Sequence, residues 1–203
     1  SFNSEDKKSE DLSEGSETDE DGQLFENPDY GISVKLPADW TISDDSSEAT
    51  NTDSSYAKFG AYGVPAGQTL QDWAKGIRNW FADSFAADHY RYVSTTEREI
   101  NGQSAVVNEM QYRYNDDQWY TEYEVLLQKD DYRYYFEYSG HSDNPLLQSQ
   151  FEQVVQSMTV DFETLADNFG HLPTDYYSAD RTKTVTRTSP TYNYSLQVPR
   201  YWT

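Results

Sequence analysis

The chain has 203 residues, 36 Asp and Glu against 15 Lys and Arg, no Cys, and a formal net charge of −21. That balance excludes an interface built on clustered phosphate contacts, so no nucleic acid is expected, and it disfavours adhesion to anionic lipid headgroups. The missing thiols exclude disulfides, thiolate metal sites and cysteine nucleophiles, and no apolar run approaches the ~18 residues of a membrane span.

Residues 1–26 read as a disordered acidic linker. Ser1 to Gly22 is almost wholly Ser, Glu, Asp, Lys, Thr and Gly, with Phe2 and Leu12 its only large apolar side chains, too few to offset the entropy of ordering a backbone. Order is expected from Pro28. Residues 30–36 alternate at period two and Pro37 ends that strand, with Trp40 packing back on the same core. Residues 43–55 are a polar loop, and 57–62 a second strand closed by Pro65 and Gly67. Thr69 then caps a helix, with Asp72 completing the motif three residues on. Leu70, Trp73, Ala74, Ile77, Trp80, Phe81 and Phe85 recur at helical spacing, and that aromatic side is read as core.

Four strands follow, at 90–100, 103–114, 118–129 and 132–138. Asn101-Gly102 is a strong hairpin signal, and Asp116-Asp117 and Asp130-Asp131 supply the other turns. The alternation predicts an antiparallel meander with one buried and one wetter face. Asn144 and Pro145 begin a second helix lined by Leu147, Phe151, Val154, Val155 and Met158, and 158–160 add a short closing strand. The fold class is α+β, an antiparallel β-sheet with two helices packed on it, spanning residues 27–162.

Residues 163–189 read as a connector, after which the start of the domain recurs. Residues 28–41 (PDYGISVKLPADWT) align without gaps to 190–203 (PTYNYSLQVPRYWT), with six of fourteen positions identical at an offset of 162. Self-similarity of this kind marks a repeated unit, so 190–203 is expected to be the first strand of a truncated second repeat. Left unpaired, such a strand would dock on a sheet edge of its own domain or of another chain.

No residue set makes a convincing catalytic, metal or cofactor site. His89, His141 and His171 lack metal-ligand spacing. His141-Ser142-Asp143 has neither the nucleophile elbow nor the separated geometry of a triad, and reads as a helix start. The stronger candidate is aromatic: Tyr112, Tyr114, Trp119, Tyr120 and Tyr135, with Arg113 and Arg133 among the rings, are the expected ligand-binding residues. Their blander reading is plain core beneath the helices. The sharper ones are a protein-docking patch or a flat, glycan-binding platform.

The strand and turn from Tyr30 to Trp40, the helix start Gly67-Gln-Thr-Leu-Gln-Asp-Trp73, the turn Ile100-Asn-Gly-Gln-Ser-Ala105 and the closing segment 151–160 fall in an order that resembles the PsbP-like domains of bacterial lipoproteins. The resemblance covers residues 28–160. It implies a central antiparallel sheet used as a docking module without chemistry of its own, hence no enzyme and no cofactor. It further implies a protein partner in the cell envelope, with the domain held at the extracellular surface by a lipid-modified Cys and a polar spacer preceding it.

Overall fold

The computed structural model describes residues 22–115, 117–178 and 184–199. The rest of the expected linker, residues 1–21, lies outside them, as do 200–203. Order begins earlier than expected: β1 (Gln23–Asn27) falls within the segment read as linker and pairs with β2 (Ile32–Leu36). One side chain accounts for it. Phe25 is fully buried and stacks on Phe59 at a ring separation of 4.1 Å, enough apolar burial to anchor a polar strand. Gly31 closes this hairpin with φ 71°, where a Cβ would stand 2.9 Å from the Asp161 carbonyl oxygen, so the turn requires glycine twice over.

The short strands β3 (Thr41–Ile42) and β4 (Glu48–Thr50) lead into β5 (Tyr56–Gly63), followed by helix α1 (Leu70–Ser84). The meander then runs through β6 (Tyr90–Ile100), β7 (Gln103–Tyr112), β8 (Tyr120–Lys129) and β9 (Tyr132–His141), with Asn101 and Gly102 both at positive φ in the first turn. Helix α2 (Leu147–Gln156) and the two-residue β10 (Thr159–Val160), which joins β2, complete the expected order. Seven strands form one antiparallel sheet in the order β3-β4-β5-β9-β8-β7-β6.

A third helix, α3 (Phe162–Asn168), occupies the start of the segment read as connector. Asp161 caps it, accepting from the Glu163 and Thr164 amides, and Phe162 and Leu165 are buried. Helices α2 and α3 share a core with one face of the large sheet and with β1–β2, while α1 packs on the opposite face. The expected wetter face is therefore covered. Glu122, Glu124, Arg133 and Asn108, on polar positions of β7–β9, are all buried.

Residues 184–199 form a separate two-stranded sheet, β11 (Thr184–Ser189) against β12 (Tyr194–Pro199). The strand expected to be unpaired is instead paired with its own connector, since a four-residue turn closes that hairpin at less entropic cost than reaching a distant edge. Its register repeats that of the first hairpin at the same offset. Phe25 faces Val34 where Arg187 faces Leu196, and Asn27 faces Ile32 where Ser189 faces Tyr194. Asn193, at the place of Gly31, also has positive φ, at 50°.

Candidate functional site

Strands β8 and β9 set Glu122 opposite Ser139 and Glu124 opposite Glu137. Period-two alternation turns Tyr123, Val125, Tyr134, Phe136 and Tyr138 toward the α2 side, and turns the three glutamates toward α1. α1 crosses this face only as far as Ser84, where the chain becomes extended at Phe85. Beside its C-terminal half lies a cleft of about 780 Å³, lined by Tyr56, Trp80, Phe81, Phe85, Tyr112, Tyr114, Tyr120 and Tyr177, with Glu122, Glu137 and Ser139 among its polar residues. That volume lies within the usual range for small-molecule sites.

The walls are a continuous aromatic lattice. Phe81 and Phe85 are near-parallel at 5.9 Å, Phe85 lies 5.3 Å from Tyr112, Tyr112 stacks on Tyr120 at 5.9 Å, and Trp80 meets Tyr177 edge-on at 5.2 Å. Rings so arranged leave few rotamers to freeze when a ligand enters. Tyr114 stands 71 % exposed at the mouth.

The floor is acidic. Glu122, Glu124 and Glu137 each offer an oxygen within 4.8 Å of the others, the one such carboxylate cluster among the described residues. The Tyr135 hydroxyl lies 2.8 Å from Glu124 Oε2 and 3.1 Å from Glu137 Oε1 and donates between them. Glu122 Oε2 and Glu124 Oε1 are buried with no hydrogen-bond partner. Burial, then the charges of Glu137 and Glu124, holds Glu122 well above the ordinary carboxylate range. Burial likewise pushes Glu124 up to about 8, against the opposing pull of the Tyr135 hydrogen bond. Glu124 therefore holds its proton at neutral pH unless a cation joins the cluster, and Glu122 is shifted in the same direction. Three oxygen donors at this spacing are of the type that ligates a hard metal ion.

At the rim, Asp88 accepts from His89 Nδ1 at 2.8 Å, and Arg113 Nε donates to the Asp88 carbonyl at 3.0 Å. Trp119 is flanked by guanidinium groups, Arg91 at 3.8 Å and Arg113 at 5.0 Å from its ring.

Of the residues singled out in the sequence, Tyr112, Tyr114, Tyr120 and Arg113 meet in the cleft lining. Tyr135 is buried beneath it, holding the acids. Trp119 stands outside the lining, between its two arginines. Arg133 lies elsewhere, fully buried 4.2 Å from the Trp73 ring, donating to Gln68 and Gln128 at 2.6 Å, with Asp175 at 3.8 Å. Burial lowers its pKa to about 10. The rings of Tyr112, Tyr114 and Tyr120 line a concavity. His141 stacks on Tyr120 at 4.9 Å with Nδ1 buried and unpartnered, and the Ser142 hydroxyl bonds Thr121, so no triad joins the His-Ser-Asp run.

Sequence reasoning missed Trp80, Phe85, Tyr177 and the glutamates. The signal for the acids was present: Glu122, Glu124 and Glu137 share the strand phase of the buried Leu126 and Tyr135, on strands whose other face is apolar. Nothing in the text told that Tyr177, in a segment read as connector, returns to α1.

No protein-family model matches the sequence, and no curated protein matches it. Solved structures do resemble the domain. Cyanobacterial PsbP (CyanoP) from Synechocystis sp. PCC 6803 superposes at a TM-score of 0.52 with 16 % identity, over 70 % of this chain and 93 % of that one. A Bacteroides thetaiotaomicron protein gives 0.48 with 13 % identity over 70 % of this chain and 49 % of that one, so the chain spans about half its length. The Saccharomyces cerevisiae Ran-binding protein Mog1p gives 0.48 with 8 % identity over 70 % and 97 %. The likeness is one of fold.

Proposed function

We propose that this domain, α+β in class and PsbP-like in fold, is a non-catalytic binding module that docks a protein partner through the aromatic cleft beside α1. The carrying observation is the cleft itself, a pre-formed concavity walled by stacked rings at the end of a helix, with Tyr114 at its mouth. Exposed aromatic anchors around a concave centre are what dominate the energetics of protein interfaces. A catalytic reading lacks support, because neither His141 nor His89 is aligned with a nucleophile.

The module works at the extracellular face of the cell envelope, tethered by a lipid anchor through the acidic segment. What supports this is the composition of residues 1–22, which suits a solvated spacer. Among the described residues no helix is long and apolar enough to cross a membrane. Residues 190–203 begin a second copy of the domain. The repeated register of the two hairpins and the matching positive φ of Gly31 and Asn193 support that reading. The outer edge of β12 is a candidate for strand-edge self-association.

The cleft assignment is tested with a photo-crosslinking amino acid placed at Tyr114 in the native host, with Leu24 as the control position. The expected result is a discrete adduct from position 114 and none from 24. Equal labelling from both, or none from 114, overturns the docking role of the cleft.

A further inference from the structure

The acids beneath the rings are unexplained by a purely apolar docking groove. Glu122 is 3 % exposed, lines the cleft, and has an oxygen without a hydrogen-bond partner. Glu137 lines the cleft beside it, and Glu124 stands just behind. The basic side chains nearby are at the rim and already engaged: His89 with Asp88, and Arg113 with Asp88 and Trp119. The phenols around the cleft, Tyr56, Tyr112, Tyr114, Tyr135 and Tyr177, are pushed further from ionising by burial. Buried acids with no positive group against them either keep their protons or take up a cation, and the free Glu122 oxygen faces the cleft from which a cation would come.

The walls narrow the choice of cation. Faces of Trp and Tyr attract ammonium groups within about 6 Å of the ring, and the rings also supply apolar area for a carbon body. A bare metal ion would satisfy the glutamates while leaving Trp80, Phe85 and Tyr120 unused. An anion gains nothing from an acidic floor, and a neutral donor meets the free Glu122 oxygen with a weaker hydrogen bond than the charge-assisted one an ammonium makes. The chain's net charge of −21 also enriches cations at its surface.

We propose that the cleft takes an organic ammonium ion, a partner's lysine side chain or a free amine, with its charged head on Glu122 and Glu137 and its carbon body between Trp80, Phe85, Tyr112 and Tyr120. The proposal rests on the cleft being the binding site, and deepens that reading by naming the chemistry it selects. One consequence follows: a hydroxyl in place of the ammonium loses most of the affinity.

The test is an NMR titration of the isotope-labelled full chain with phenethylammonium chloride, 2-phenylethanol, Nα-acetyl-lysine N-methylamide and MnCl₂. The expected result is amide shifts clustered at 120–123 and 137–139, with phenethylammonium at least tenfold tighter than the alcohol. Glu122→Gln and, separately, Glu137→Gln should each erase that preference, with the dispersion of the variant's own amide spectrum reporting that it is folded. Tighter binding of the lysine derivative assigns the ammonium to a protein side chain, and the reverse order to a free arylalkylamine; either supports the proposal. Equal affinity for amine and alcohol overturns it while leaving the cleft as a binding site. Mn²⁺ bound at the three glutamates without competition from the amine overturns it in favour of a metal site. No shift at the cleft with any probe overturns the proposal and the cleft assignment together.

Discussion

On one face of the large sheet, Tyr134, Phe136 and Tyr138 of β9 meet α2 and α3 through Phe151, Val154 and Phe162, an apolar layer closed by β1–β2. On the other, the residues between them in sequence, Arg133, Tyr135 and Glu137, lie under or beside α1, with Glu122, Glu124 and Asn108 buried among Trp73, Met110 and Leu126. The same strands thus carry a dry core on one side and a polar, partly hollow one on the other. Dry packing stabilises without selecting a ligand, whereas buried charge selects a ligand at a cost in stability. The α2 face holds the fold, and the α1 face carries buried polar groups at a cost in stability.

The largest effect should come from breaking the dry face. Phe151 is 1 % exposed and stacks on Tyr123 at 4.2 Å. Phe151→Ala should cost about 3–5 kcal/mol in urea unfolding, while Phe85→Ala, on the half-buried cleft wall, should cost about 1 kcal/mol. Equal losses would mean that the two faces carry similar stability and would collapse the distinction.

A smaller effect separates the faces by pH. Burial raises the folded-state pKa of Glu122 and Glu124 above that of an unfolded glutamate, near 4.3. Between that value and about 8, where Glu124 titrates when folded, the folded state holds more protons than the unfolded one. Stability therefore falls as pH rises through this window, by up to about 1.4 kcal/mol per pH unit for each extra proton held. Glu124→Gln should flatten the slope between pH 5 and 8, whereas Phe151→Ala should lower the whole curve without tilting it. A wild-type stability that rises over this interval would show that the glutamates are ionised and paired in the folded protein.

The dry face was the more legible in sequence, for a physical reason. Its side chains repeat at periods fixed by backbone geometry, so the α1 and α2 stripes, the meander and the Asn101-Gly102 turn follow from local pattern. The offset between 28–41 and 190–203 was equally plain, and the hairpins pair at that offset. Register and turn are local properties, so they persist even though Tyr194 and Leu196, the counterparts of the buried Ile32 and Val34, are exposed. The polar face depends on long-range events that no local pattern records. Asp175 receives the Trp73 indole N–H across 102 residues at 2.8 Å, and Tyr177 returns to the cleft with it. Phe25 shows the same limit at the other end: a single aromatic in polar text became an anchor only because Phe59 was waiting for it.

The smallest expected effect concerns the helix that covers the polar face. At its start the Thr69 hydroxyl accepts from the Asp72 amide at 3.1 Å, and Asp72 Oδ2 accepts from the Thr69 amide at 3.0 Å. α2 begins at Leu147, and its N-cap residue Leu146 supplies no side-chain hydrogen bond. If packing on an apolar layer suffices for α2 while α1 lies on a layer interrupted by acids, then α1 is the helix that relies on its cap. Thr69→Ala should cost about 1 kcal/mol, and hydrogen exchange should show that loss as faster opening of 70–84 with 147–156 unchanged. Uniform acceleration across both helices would instead place them in one cooperative unit. The cleft wall formed by Trp80 and Phe85 would then be as rigid as the core behind it, and ligand entry would have to proceed without any local loosening of α1.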